Sequence, residues 1–116
     1  MNLTSEKKLN KIQEEITFWN ETLCDISHKL DELYEERNRI ENKLRNLRAG
    51  STNRNLYSPI HYYYGWYRIT VYSIIAEIAE EEKLSKINEE IDYFNKEMNY
   101  VSDRIDKLYE EMRDEV

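Results

Sequence analysis

Few side chains in this sequence could do covalent or acid–base chemistry, and their surroundings decide how much weight each bears. Cys24 is the sole cysteine, and His28 and His61 are the only imidazoles. A thiol needs a neighbouring base or cation to act as a nucleophile, and a metal needs several converging donors. Cys24 and His28 fall at outward positions of the helical repeat described below, with no helper group in reach. His61 stands among tyrosines without a cysteine, histidine or carboxylate beside it. Tyr62 or Tyr63 with Arg68 could form a nucleophile and a phosphate clamp, but no acid or second basic group is placed to support them. A glycine-rich phosphate loop is absent. The expectation is a non-enzymatic protein with no catalytic residue, no metal and no cofactor.

What, then, positions these residues? From Leu9 the apolar side chains step by three and four: Ile12, Ile16, Trp19, Leu23, Ile26, Leu30, Leu33, and later Ile40, Leu44 and Leu47. Only Arg37 interrupts them in a core slot. The second half repeats the pattern from Leu84 through Ile87, Ile91, Phe94, Met98, Val101, Ile105 and Leu108 to Met112. This is the a/d signature of a coiled coil. With 2 glycines, 1 proline and 35% charged residues, the chain predicts two long helices. KLNKIQEEI at 8–16 resembles KLSKINEEI at 83–91, and LYEE recurs at 33–36 and 108–111. Internal duplication and convergence of low-complexity heptads both account for that.

Charge chooses how the helices pair. If they run antiparallel with Leu9 against Leu108 and Leu33 against Leu84, the flanking g positions meet as Lys8–Glu111, Glu15–Arg104, Thr22–Glu97, Lys29–Glu90 and Glu36–Lys83. Sliding one heptad either way brings like charges together. Each exposed pair contributes only ~0.3–0.5 kcal/mol, but together they select one alignment. It places Arg37 opposite Glu80 and Arg48 opposite Ile69. A parallel homodimer of either segment pairs no such charges. The fold class predicted is therefore all-α: an antiparallel coiled-coil hairpin with an aromatic tip, assembled as a four-helix dimer. It forms a single domain over 1–116, with helix 1 at 5–48, a loop at 49–58 and helix 2 at 59–114.

The tip is compositionally distinct. Arg48 with Gly50 reads as a helix end, and Ser58-Pro59 as an N-cap and first helical residue. Beyond it Ile60, Tyr64, Tyr67, Val71, Ile74 and Ile78 form a stripe whose phase slips by one residue before Leu84. A β-hairpin turning at Gly65 is the competing reading of this tyrosine-rich stretch. Between Asn42 and Ala76 there is no acidic residue, and Lys43, Arg45, Arg48, Arg54 and Arg68 give +5; the remainder carries −12, for a net charge of −7.

Such an end suits a carboxylate-rich protein surface, with Tyr57, His61, Tyr62, Tyr63, Trp66, Arg54 and Arg68 as the partner-binding set of the 59–72 tip and the loop before it. Single-stranded nucleic acid is the second reading, by stacking and phosphate contact, although no RRM, KH or zinc pattern accompanies it. A mini-core that caps the hairpin, or a contact between two tips, is the plainest reading.

Two flanks suggest self-association into a homodimer. Phe18, Tyr93 and Tyr100 occupy c positions that a two-helix hairpin leaves uncovered, and Asn20, Ser27, Asn88 and Asn95 make an unusually uncharged e flank. No apolar run approaches the ~20 residues of a membrane span, and one cysteine excludes an internal disulfide, so the expected location is cytoplasmic. Size and an Ile-, Lys-, Asn-rich composition suit a small virus-encoded accessory or inhibitory protein of the anti-defence type. The helix–linker–helix order and length also resemble the β-type subunit of prefoldin, a resemblance that implies a chaperone holding clients at its ends, with a β-hairpin at the linker.

Overall fold

The computed structural model describes residues 3–115 apart from 57–62, with side chains described for residues 4–49 and 73–115. Two helices account for them: α1, Leu3–Leu56, and α2, Tyr63–Glu115. They pack against each other as a helical hairpin, and no strand occurs among the described residues. Threonines inside α1 are accommodated because their hydroxyls donate to carbonyls one turn back. Thr17 reaches Gln13 and Thr22 reaches Phe18, each at 3.0 Å.

α1 is longer than the sequence predicts. It passes Gly50 and occupies most of the expected 49–58 loop. A glycine inside a helix costs about 1 kcal/mol, which does not end a helix by itself, and no described glycine takes a positive φ. Pro59, the strong breaker, lies with Ser58 outside the described residues. α2 is already helical at Tyr63 and continues through Gly65, where a β-hairpin turn was the competing expectation.

The contacts fall into two units, residues 1–32 with 91–116 and residues 33–90. In the first, Ile16, Ile26 and Leu30 of α1 and Ile91, Val101, Ile105 and Leu108 of α2 are buried, all at predicted heptad positions. The other predicted core residues of this unit, including Leu9, Trp19, Leu23 and Phe94, are half-buried. Arg104 donates to Glu15 at 3.4 Å, and the Trp19 ring meets that of Tyr100 at 6.2 Å. Both contacts require antiparallel helices, and the first is a pair the charge argument selects.

In the second unit Leu33, Ile40, Leu44 and Ile87 form the apolar core. Here the structure departs from the expected alignment. Arg48 donates to Glu81 at 2.9 Å instead of lying opposite Ile69. Arg37 does not meet Glu80. Its Nε lies 3.8 Å from Glu41 and is buried without a hydrogen-bond partner, and its guanidinium covers the Tyr34 ring at 4.9 Å. A cation in a core slot can lean along its own helix, where Glu41 and Tyr34, each one turn away, offer a carboxylate and a ring face.

Candidate interaction surfaces

The start of α2 departs from expectation as well and defines the more informative surface. The predicted stripe through Ile74 and Ile78 does not enter the core: they are 50% and 52% exposed, and Ile75 is 57% exposed. Ser73 and Glu80 are buried instead. Stepping back from Leu84 by the same four-and-three rhythm gives Glu80, Glu77 and Ser73. The helix keeps one phase, and the expected slip before Leu84 does not occur. A slip needs a local distortion of the backbone, whereas an unbroken helix costs only the burial of a carboxylate.

That carboxylate is compensated. Glu80 Oε1 lies 3.0 Å from Lys43 Nζ and 3.3 Å from Lys83 Nζ. The hydrogen bond from Lys43 is the largest influence on its acidity. Lost hydration opposes it, and the Lys83 hydrogen bond and the attraction of both ammonium groups add to it. Together they hold the carboxyl below its ordinary range. The two lysines are 61% exposed, so they snorkel over the core edge and keep their own hydration. Ile74 and Ile78 are thereby left outside, and Ile75 is exposed with them.

Of the sequence-derived partner set, Tyr57, His61 and Tyr62 lie outside the described residues. The backbone places Arg54 on α1 and Tyr63, Trp66 and Arg68 on the first two turns of α2. In the sequence the spacing of Ile74 and Ile78 reads equally well as core and does not mark them as surface residues. Only the competing phase of Ser73, Glu77 and Glu80, with Lys43 available across the pair, carried the signal.

A second surface lies in the first unit. Phe18, Tyr93 and Tyr100 are all more than half exposed. Phe18 meets Trp19 edge-on at 5.1 Å, and Tyr93 meets Phe94 in the same way at 5.2 Å. Each outward ring thus rests on a half-buried aromatic beneath it. On the e flank of this unit, Asn20 and Ser27 are exposed and Asn95 is half-buried; Asn88, in the second unit, is exposed.

For chemistry the structure adds little. Cys24 is an exposed free thiol and His28 is exposed, as their heptad positions predict. Among the described residues no group of histidine, cysteine and carboxylate side chains could hold a metal ion. The groove lined by Lys8, Lys11, Ile12, Glu15, Arg104 and Glu111 has one apolar side chain among mixed charges. No described helix is long and apolar enough to cross a membrane. Neither a family model, a curated protein nor a solved structure matches the chain.

Proposed function

We propose that this protein is a non-enzymatic interaction module, acting inside the cell, whose helical hairpin presents the beginning of α2 to a larger protein. The observation that carries the reading is the outward stripe of Ile74, Ile75 and Ile78, left uncovered by a helix that keeps its core phase. Scattered exposed apolar residues are ordinary, but contiguous ones mark contact surfaces. This stripe continues the helix that bears Tyr63, Trp66 and Arg68. The sequence leading into it, 42–76, holds five cations and no carboxylate, and the acidic residues begin at Glu77. Aromatic and arginine anchors beside aliphatic side chains are the make-up of energetic centres in interfaces. The complementary partner has an apolar groove rimmed by acidic residues. Occupying such a groove on a larger host machine is the action of a small accessory or inhibitory protein, of the anti-defence kind that viruses encode.

The test is capture from a host lysate by the tagged protein, with Ile74→Glu/Ile78→Glu and Tyr63→Ala/Trp66→Ala as parallel baits. A partner held by the wild type and lost by both variants, each still helical by circular dichroism, supports the reading. A partner retained by both variants refutes it. Binding that collapses between low and moderate salt and competes with single-stranded oligonucleotides transfers the role to nucleic acid.

A further inference from the structure

We propose that a second copy of this chain docks, reversed, on the aromatic flank of the first unit, about a two-fold axis at the level of Phe18 and Tyr100. This inference is independent of the tip reading. Two rows of side chains spaced one heptad apart define the face: Lys11, Phe18 and Asp25 on α1, and Lys107, Tyr100 and Tyr93 on α2. All six are exposed. The Trp19 ring, in edge contact with both Phe18 and Tyr100, places the centres of the two rows side by side.

The rows are complementary to their own reverse. An isologous contact sets a residue of one copy against its counterpart across the axis. With the axis through Phe18 and Tyr100, each of those rings meets itself, the geometry in which aromatic side chains stack or meet edge-on. Lys11 then lies against Asp25 of the other copy, seven residues out on either side. Lys107 lies over Tyr93 of the other copy, an ammonium over a ring face. Just inside them Arg104 comes to the level of Glu97 in the second copy. Every charge on the two rows finds an opposite charge or a ring. A parallel arrangement, with the two-fold along the helices, would instead set the α1 row of one copy on the α2 row of the other and bring Lys11 against Lys107, two like charges.

The face is small. Lys11 to Asp25 spans about 21 Å of helix, and two packed helices are about 20 Å across, so each copy contributes on the order of 400 Å². That is below the usual size of a permanent interface, and the dimer is a reversible one.

Sedimentation equilibrium from micromolar to millimolar chain, in reductant, reads the association directly. The wild type is expected to dimerise with concentration, and Phe18→Ser/Tyr100→Ser to remain monomeric while keeping its helical spectrum. Lys11→Glu or Asp25→Lys alone alters two symmetry-related pairs and weakens the dimer about tenfold. Lys11→Glu with Asp25→Lys restores it, because the swapped charges meet across the axis. A wild type that stays monomeric overturns the proposal. So does a dimer indifferent to Phe18 and Tyr100, or a double charge swap that fails to recover what each single swap loses.

Discussion

Leu108 is the most completely buried side chain described, with none of its surface exposed, and its neighbour Tyr109 is 43% exposed. Truncating Leu108 to alanine removes three carbons from a site with no access to water. At about 0.8 kcal/mol per carbon the lost transfer energy is about 2.4 kcal/mol. A cavity adds to this, but every core side chain of a two-helix contact sits near solvent, and its neighbours can settle into the gap. The total is therefore about 2.5–3.5 kcal/mol, in the lower half of the range for buried leucines. For a chain of this size that lowers the melting midpoint by about 10 °C. Thermal and urea unfolding followed at 222 nm, at one fixed protein concentration, measure it. Tyr109→Ala, on the same helix turn, is expected to cost less than about 1 kcal/mol. If the two substitutions cost the same, the inward face of α2 is wrongly identified and the packing argument fails with it.

Two charge predictions follow from the ion pairs. The Glu80 carboxyl titrates below its ordinary value of 4.5 in the folded chain, so its stabilisation is fully present above that value and is lost as pH falls through the folded one. Wild type is expected to lose its advantage over Glu80→Gln only below about pH 4.5; a difference that stays constant from pH 7 to pH 3 would remove the ion pairs with Lys43 and Lys83 from the account. Glu15 and Arg104 are 53% and 36% exposed at 3.4 Å, so breaking the pair costs less than about 1 kcal/mol. Glu15→Arg is nonetheless expected to be less stable than Glu15→Arg/Arg104→Glu in urea titrations at low salt, and equality of the two would mean the residues do not face each other.

The heptads made the helices and most of their buried face readable. No described residue between Leu9 and Leu47, or between Leu84 and Met112, that the three-and-four spacing assigns to the core is fully exposed. The pairing of Glu15 with Arg104 was legible because opposite charges on g positions exclude the alternative alignments. The second unit was less legible because two rules compete there. Hydrophobicity alone argues for turning Ile74 and Ile78 inward, whereas helix continuity argues for Ser73 and Glu80, and two lysines tip the balance by neutralising the carboxylate. No local pattern announces that outcome, since Lys43 is distant in sequence. Gly50 misled for a related reason: a residue that weakens a helix marks its end only where nothing beyond it favours continuing. The aromatic flank was visible as three large residues at c positions, but only the ring contacts of Trp19 show that Phe18 and Tyr100 share a level.

The exposed thiol of Cys24 has a practical side. It lies on neither of the two rows that form the aromatic face, and no other cysteine competes with it. One maleimide reagent can therefore mark every chain at a single known place, giving a fluorophore or spin label for distance work without altering the sequence. The same atom is a hazard in storage, where aerial oxidation can rivet two chains together and mimic a specific assembly on a sizing column.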